Sequence, residues 1–144
     1  MSGRIRPMAI CVFRRPDGAI LVAPGYDETK RQLFYRPLGG EIEFGETAEA
    51  ALRREIQEEL GSDVEGARLL DVSENLFTYR GEPGHEIVFV FEGRLSKASL
   101  YETDVVPCDE GGSPFEAHWV PLDAFGGDAR LYPDGLLDLL LRSG

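Results

Sequence analysis

The sequence predicts one α/β domain, residues 1–144, built on a mixed β-sheet flanked by helices. Strand-like segments outnumber helical ones and are joined by hairpin turns as often as by helices, which favours a mixed sheet. Hydrophobic residues make up 42% and charged residues 28% of the chain, the ordinary mixture of a folded domain. A chain of 144 residues can bury one core without disulfides or a structural metal.

The chain begins with what the sequence predicts to be a hairpin. Met8–Arg14 is apolar and rich in strand formers, and Arg15–Gly18 has the composition of a turn. Ala19–Ala23 is predicted to be the returning strand, and the polar residues 24–32 predict a loop.

A short strand and an irregular loop are predicted next. Leu33–Arg36 is aromatic and is expected to stop at Pro37, because proline lacks the N–H that a strand needs. Residues 38–46 contain three glycines and predict a loop.

The strongest helix prediction covers Ala48–Leu60. This stretch consists mostly of strong helix formers, with Thr47 placed to cap its start and Gly61 placed to end it in the left-handed conformation. At 100° per residue, one side of the helix is an apolar stripe that can dock on a sheet. The stripe consists of Leu52, Ile56 and Leu60.

The second half of the chain predicts more strands and a closing helix. The strand-like segments are Ala67–Asp71, Leu76–Tyr79, Glu86–Leu95 and Ala117–Pro121. Asp134–Arg142 predicts a helix whose apolar side is made of leucines.

Charge and cysteine content limit the expected partners and location. With 15 Lys and Arg against 26 Asp and Glu, the net charge of −11 would repel the backbone of a nucleic-acid duplex. The apolar runs are too short to cross a bilayer, and residues 1–10 lack the features of a secretory signal.

Cys11 and Cys108 show no CxxC spacing and are expected to be reduced thiols. We therefore expect a cytoplasmic protein with neither a duplex nor a membrane as partner.

Three glutamates lie on one side of the predicted helix. Glu55 precedes Glu58 and Glu59 by three and four residues, and like charges at these spacings destabilise a helix by a few tenths of a kcal/mol each. One interpretation is a solvated acidic face. The other is a site for Mg²⁺, which takes carboxylate oxygens and completes its shell with water and substrate phosphates. The spacing alone does not choose between them.

The residues around these glutamates resemble a known motif. From Gly40 to Ser62 the chain reads GEIEFGETAEAALRREIQEELGS, which is similar to the Nudix box of the MutT-like hydrolases, G-x5-E-x7-R-E-U-x-E-E-x-G-U with U apolar. The matching fixed positions are Gly40, Glu46, Arg54, Glu55, Glu58, Glu59 and Gly61. If each had a frequency of about 7%, seven matches would arise by chance on the order of once in 10⁸ starts. Ser62 departs from the pattern at the last apolar position, and Val64 is expected to fill the gap.

The resemblance implies a fold, a cofactor and residue roles. The fold is a Nudix-type α/β/α sandwich with a mixed central sheet, and the cofactor is Mg²⁺, with Mn²⁺ as a substitute. The residues that match the family's metal ligands are Glu55, Glu58 and Glu59, with the backbone carbonyl of Gly39 or Gly40 as a further ligand. Arg54 matches the arginine that orients a box carboxylate, and Glu46 is expected to tie the loop to the helix.

The implied reaction is hydrolysis of a nucleoside diphosphate linked to another moiety, by attack of water on phosphorus. A carboxylate must accept the proton of that water, and Glu59 is one candidate. Many family members carry another glutamate on a loop before a Trp-containing strand, where this chain has Glu110 and Glu116. Glu110 is favoured because its loop is rich in glycine. With Glu58 and Arg54, these are the expected catalytic residues.

Aromatic and basic residues near the box are candidates for substrate binding. Nucleobases stack on aromatic rings, and the candidates are Tyr35, Phe77, Tyr79 and Trp119. Tyr79 is the best placed, because it lies 79 − 62 = 17 residues beyond the box, where the family's diadenosine polyphosphate hydrolases carry a tyrosine. The basic candidates for contacts with distal phosphates are Arg36, Arg80, Lys30 and Arg31.

Three functions stay open from the sequence. The first is a Mg²⁺-dependent pyrophosphohydrolase of dinucleoside polyphosphates or related nucleotides. The second is the same enzyme class acting on an ordinary or oxidised nucleoside triphosphate. The third is a Nudix-like module that binds a nucleotide without turnover, which the complete set of box carboxylates disfavours. The expected partner is a small nucleotide, and a homodimer stays open.

Overall fold

The computed structural model describes residues 3–142, which form an eight-stranded sheet with α-helices packed against it. The strands are β1 (Ile5–Phe13), β2 (Ile20–Asp27), β3 (Gln32–Glu41), β4 (Val64–Tyr79), β5 (Glu82–Leu95), β6 (Val105–Glu110), β7 (Ser113–Val120) and β8 (Ala129–Leu131). The α-helices are α1 (Ala48–Leu60) and α2 (Leu136–Arg142), and short 3₁₀ turns cover Ala98–Tyr101 and Leu122–Ala124. In this described part of the chain, neither α-helix has the length and hydrophobicity needed to cross a bilayer.

The sheet is mixed, as predicted, and β3 joins its two halves. The strand order is β4-β5-β1-β3-β2-β7-β6, with β8 also beside β3. β1 runs parallel to β5, and β3 runs parallel to β8, whereas the other pairs are antiparallel. Residues 38–41 of β3 pair with β1, and residues 32–37 pair with β2. β3 therefore connects everything that is built on one half of the sheet to the other half.

Alternate residues of β1 face two separate cores, which explains why the sheet needs a helix on each side. One core contains Ala9, Cys11 and Phe13 together with Leu52, Ile56 and Leu60 of α1. The other contains Met8, Ile10 and Val12 together with Leu136 and Leu140 of α2. The predicted α/β/α arrangement is confirmed.

Helix α1 has the predicted limits and caps. The Thr47 side chain accepts a hydrogen bond from the Ala50 amide, and Gly61 ends the helix with φ at +63°. Ser62, at the position where the motif has an apolar residue, is buried and hydrogen-bonded: its Oγ donates to the Asp63 carbonyl and accepts from the Lys97 amide. These bonds attach the end of the helix to the segment after β5.

The predicted path of the chain through residues 8–46 is wrong in three places. β1 and β2 share one bridge, Arg14 to Ile20, and β3 lies between them in the sheet. Residues 24–27 continue β2, and β3 already begins at Gln32, so most of the predicted loop is strand. β3 also continues through Pro37 to Glu41. Pro37 stands where β3 changes partner from β2 to β1, and an interrupted ladder tolerates a residue without an N–H.

The second half also differs from the prediction. The segments 67–71 and 76–79 belong to one 16-residue strand, β4, which pairs with β5 along its length and absorbs two register shifts. β6 and β8 are strands that the sequence pattern does not predict, and Glu110 consequently ends a strand instead of lying inside a loop. Helix α2 begins at Leu136 and not at Asp134, because Gly135 has a φ of +90° that a right-handed helix excludes.

Substituting Leu52 with Ala should destabilise the protein strongly. Leu52 is fully buried between α1 and the sheet, and removing its side chain leaves a cavity. We expect the free energy of unfolding, measured by urea denaturation, to fall by about 2–5 kcal/mol. Leu76→Ala is the matched control: Leu76 is 71% exposed, and its loss should change the same quantity by about 0.5 kcal/mol or less. Similar losses in both variants would contradict this description of the core.

Candidate active site

The three predicted glutamates lie at different depths on α1, beside the end of β3. The Glu58 side chain is 55% exposed and that of Glu55 is 15% exposed, whereas Glu59 is buried. The helix packs against β1, β3 and β6, so the apolar stripe faces the sheet and the glutamates follow along its margin. The structure therefore gives three chemically identical groups three different environments.

Arg54 joins α1 to the loop that precedes it. Its Nε and Nη2 donate to the two carboxylate oxygens of Glu46 over 2.7 and 2.9 Å, and Nη2 also donates to the Glu41 carbonyl over 3.1 Å. Its Nη1 donates to Glu55 over 3.1 Å and to Glu58 over 3.4 Å. The pairing lowers the pKa of Glu46 to about 2 and raises the pKa of Arg54. A single guanidinium thus holds the loop and two of the three helix carboxylates.

Two glycines at the end of β3 allow close packing, Gly40 against α1 and Gly39 against β1. A Cβ on Gly40 would lie 2.3 Å from Cδ of Glu55, so the Glu55 carboxylate rests directly against the Gly40 backbone. Gly39 has a φ of +150°, and a Cβ there would lie 2.0 Å from the Ala9 carbonyl oxygen. A side chain on Gly40 would displace the Glu55 carboxylate, and one on Gly39 would collide with the backbone of β1.

Glu59 is the most perturbed carboxylate of the site. Burial is the main cause that raises its pKa to about 8; the charges of Glu55, Glu110 and Glu58 raise it further, and a hydrogen bond from the Gly39 amide opposes them. Burial likewise raises the pKa of Glu55, although Arg54 acts in the opposite direction. Oε1 of Glu59 is buried and has no hydrogen-bond partner among residues 3–142. Such an atom is costly unless a ligand satisfies it.

The donor set fits a hard divalent cation. Glu55, Glu58 and Glu59 supply carboxylate oxygens, and the Gly39 and Gly40 backbone lies beside them, which is the chemistry that Mg²⁺ and Mn²⁺ prefer. Within the described residues, no three His, Cys, Asp or Glu side chains already form a closed cluster for a metal. Glu58 is the most exposed of the three, and its carboxylate lies 3.4 Å from Nη1 of Arg54.

Of the two glutamates that precede Trp119 in sequence, Glu110 faces the site. It ends β6, and its charge raises the pKa of both Glu55 and Glu59. Glu116 lies within β7 opposite Pro107 and is not among the charges that act on those two groups. Strand β6, which the sequence pattern does not predict, is what carries Glu110 to α1.

The same strand places a thiol next to Glu59. Cys108 is buried, and burial, followed by the charge of Glu59, raises the pKa of its thiol to about 12. A thiol with such a pKa stays neutral and unreactive at physiological pH. Cys108 therefore contributes packing beneath the site and no nucleophile.

A cavity of about 380 Å³ is lined by residues from the tips of the β2–β3 and β4–β5 hairpins. Arg36, Phe77 and Tyr79, three of the predicted substrate-binding residues, line it. Tyr35 instead packs against Phe125 in the core beneath α2. The other predicted candidates that do not line the cavity are Trp119, Lys30, Arg31 and Arg80.

Several lining residues were not identified from the sequence. They are Arg6, Asp27, Phe34, Asn75, Glu86 and Tyr132. The Phe34 ring contacts the ring of Tyr79 at a centroid distance of 5.7 Å and that of Tyr132 at 5.5 Å, both edge to face. One sequence signal was available: Glu86 is a carboxylate at the start of the apolar run 87–91, where burial without a partner would be unfavourable.

Ion pairs connect the cavity to the acidic site. Nη2 of Arg36 lies 3.2 Å from Glu86, and Nη1 of Arg6 lies 3.5 Å from the other Glu86 oxygen. Nε of Arg6 lies 3.2 Å from a carboxylate oxygen of Glu41, whose backbone carbonyl accepts from Arg54. Glu86, Arg6 and Glu41 therefore link the cavity lining to the residues that hold Arg54.

Comparison with known proteins places this geometry in a family. The family model of the NUDIX domain matches residues 4–137. The fold is similar to that of the MutT NUDIX hydrolase from Burkholderia pseudomallei, with 23% identity, a TM-score of 0.66, and coverage of 96% of this chain and 97% of that chain. A NUDIX hydrolase from Nitrosomonas europaea has 17% identity and a TM-score of 0.65, covering 96% of this chain and 87% of its own. The MutT protein from Methanosarcina mazei Go1 has 16% identity and a TM-score of 0.59, covering 99% and 94%.

The raised pKa of Glu59 predicts that the metal-free protein loses stability as the pH rises. The folded protein keeps the Glu59 proton up to about pH 8, whereas the unfolded chain releases it near the ordinary value of 4.5. The folded state binds more protons in this interval, so the free energy of unfolding falls between the two values. Melting temperatures measured with a chelator from about pH 5 to pH 8 should decline less in Glu59→Gln, which stays neutral throughout.

Glu74→Gln on β4 is the matched control, because Glu74 is exposed and far along the chain from α1. It should keep the decline of the unmodified protein. Parallel declines in the unmodified protein and Glu59→Gln would show that the Glu59 carboxyl is not the group that titrates.

Proposed function

The chain belongs to the NUDIX domain family and is a Nudix hydrolase, and we propose that it cleaves the pyrophosphate bond of a nucleoside diphosphate linked to another moiety. Nudix hydrolases act on nucleoside diphosphate derivatives generally. The observation that carries the proposal is the buried Oε1 of Glu59, which has no hydrogen-bond partner among residues 3–142 and lies among further carboxylates. The aromatic cavity, lined by Phe34 and Arg36 of the same strand β3 that carries Gly39 and Gly40, would supply room for the nucleoside.

Mg²⁺ is the proposed cofactor, with Mn²⁺ as its substitute. Glu55, Glu58 and Glu59 would hold it, with a backbone carbonyl of Gly39 or Gly40. When bound, such a cation neutralises charge on phosphate oxygens and lowers the pKa of a bound water. Arg54 keeps Glu55 and Glu58 in place through its Nη1 hydrogen bonds.

The proton of the attacking water needs an acceptor. As the oxygen of that water forms a bond to phosphorus, the bond from phosphorus to the bridging oxygen breaks. A carboxylate takes the proton that the water releases. We assign that role to Glu110, with Glu59 as the alternative. Glu110 is exposed at the end of β6 and close enough to raise the pKa of Glu55 and Glu59. Glu59 has a raised pKa and therefore holds a proton at neutral pH in the absence of a cation.

Dinucleoside polyphosphates are the substrates that we favour. The supporting feature is Tyr79, which lines the cavity and is 36% exposed. Its ring contacts Phe34, and the Arg80 guanidinium lies over it at 4.9 Å from the centroid. An ordinary or oxidised nucleoside triphosphate is the alternative, and binding without turnover is a further one.

A cytoplasmic location is also part of the proposal, with a small nucleotide as the partner. Cys11 and Cys108 are both free and buried, which is typical of proteins in a reducing compartment.

Glu58→Gln should abolish turnover and leave the fold intact. The variant removes one charged ligand, and the loss should exceed the roughly 10–100-fold that removal of an outer partner of a metal ligand costs. Glu58 is more than half exposed and repels its neighbours when no cation is bound, so the melting temperature should not fall. Turnover is measured as the rate of product formation from a panel of nucleotides with Mg²⁺, with and without a chelator. The melting temperature is measured by thermal unfolding.

Glu74→Gln serves again as the control and should keep the turnover of the unmodified protein. A sharp drop in the melting temperature of Glu58→Gln would make that glutamate structural. If the unmodified protein binds a nucleotide tightly but cleaves none, the alternative of binding without turnover replaces hydrolysis.

Tyr79→Ala should raise KM for dinucleotides more than for mononucleotides. Stacking of a base on an aromatic ring is worth about 1–3 kcal/mol, or about 5- to 150-fold in affinity. Tyr79→Phe keeps the ring and should change neither KM much. Equal changes in KM for the two substrate types in Tyr79→Ala would contradict a role for this ring in holding a second nucleoside.

A further inference from the structure

We propose that Arg36, held in position by Glu86, selects the nucleobase, so that the cavity takes 6-oxopurine nucleotides, those of guanine and hypoxanthine, in preference to adenine nucleotides. The inference rests on the proposed function, because it names the substrate class of the same site. It assigns to Arg36 a contact with the base in place of the contact with distal phosphates that the sequence suggested.

The walls of the cavity suit a flat aromatic ligand. Its volume of about 380 Å³ lies in the range of small-molecule sites, roughly 300–1,000 Å³, and four aromatic side chains line it. They are Phe34, Phe77, Tyr79 and Tyr132. The Phe34 ring lies against Gly25 and the Phe77 ring against Gly84, where an added Cβ would be 2.4 and 2.3 Å from a ring carbon. The two glycines let these rings sit close to the strands and leave the space beside them open.

Both carboxylates of the cavity are already engaged. Asp27 is 2% exposed and accepts hydrogen bonds from the backbone amides of Thr29, Lys30 and Arg80. Glu86 is 1% exposed and forms ion pairs with Arg36 and Arg6. Its Oε1 accepts a hydrogen bond from Arg36, whereas its buried Oε2 has no hydrogen-bond partner among residues 3–142. Because both carboxyl groups are buried, neither presents a solvent-accessible acceptor on the cavity wall.

Arg36 is the charged group that still has donors to offer. Its side chain is 32% exposed, and among the described residues Glu86 is its hydrogen-bond partner, through Nη2. Nε and Nη1 thus stay available to a ligand. Arg6, by contrast, is engaged on both sides, by Glu41 and by Glu86. The cavity consequently combines aromatic walls with a fork that can only donate.

The Arg36 guanidinium has only hydrogen-bond donors, so it distinguishes purines by the edge that carries position 6 and N7. Guanine presents two adjacent acceptors there, O6 and N7, and hypoxanthine presents the same pair. Adenine presents the N7 acceptor beside the N6 amino group, which is a donor and opposes a guanidinium. A bidentate contact of this kind is worth about 5- to 150-fold in discrimination. Phosphate would also fit the fork, but a phosphate contact would act equally on every base.

The test compares GTP, ITP, ATP and 7-deaza-GTP as substrates with Mg²⁺, by kcat/KM. We expect GTP and ITP to be similar, ATP to be about 5- to 150-fold poorer, and 7-deaza-GTP, which lacks the N7 acceptor, to lose most of the advantage of GTP. This comparison uses the unmodified protein and needs no variant to fold. Equal rates for GTP and ATP, or full activity on 7-deaza-GTP, would overturn the proposal.

Arg36→Lys tests the fork itself, because lysine keeps the charge beside Glu86 and loses the planar pair of donors. The ratio of kcat/KM for GTP over ATP should fall toward one. Arg68→Lys, on the exposed side of β4, is the matched control and should keep the ratio of the unmodified protein. If Arg36→Lys lowers kcat/KM for all four nucleotides by the same factor, Arg36 binds phosphate and the inference is wrong.

Titration calorimetry with GMP, IMP and AMP separates this inference from the proposed function. Preferential binding of GMP and IMP without cleavage of any nucleotide would support base selection and overturn the hydrolytic function. Cleavage with equal binding of GMP and AMP would leave the hydrolytic function in place and overturn base selection.

Discussion

The forked pair between Arg54 and Glu46 is the interaction on which the acidic site depends. It uses two guanidinium nitrogens to fix the loop after β3 onto α1, and the third nitrogen holds Glu55 and Glu58. Without it, the helix carboxylates and Glu110 would face one another with little positive charge to offset their repulsion. The loop, the glycine backbone and the carboxylates are therefore one unit in which displacement of any part moves the others.

Strand β3 contributes residues to both the acidic site and the aromatic cavity. Its last residues pair with β1 and include Gly39 and Gly40, which touch the carboxylates. Its first residues pair with β2 and include Phe34 and Arg36, which line the cavity. Because both sites share one strand of ten residues, the backbone of a regular element fixes the distance between them.

Among residues 3–142, three carboxylates are buried, and their surroundings differ. Asp27 accepts backbone amides at two hairpin tips, and Glu86 is paired with two arginines. Glu59 receives one backbone amide, and its Oε1 has no hydrogen-bond partner among residues 3–142. Oε2 of Glu86 likewise has no hydrogen-bond partner among these residues, but two arginines compensate the charge of Glu86. The charges that raise the pKa of Glu59 come from further carboxylates, so its charge lacks such compensation.

The sequence by itself determined α1, its caps and the motif that it carries. These features depend on local signals that act within a few residues: helix propensity, the cap at Thr47, the end at Gly61 and the i to i+4 spacing. It also indicated a mixed sheet with a helix at the end of the chain. It did not determine the path of β3 through Pro37, the strand β6 that brings Glu110 to the site, or the cavity. Arg36 meets Glu86 from 50 positions away, and Tyr132 meets Gln32 from 100 positions away. Such contacts form only when strands distant in sequence pair in register, so the tertiary structure alone decided which aromatic rings and arginines lie together.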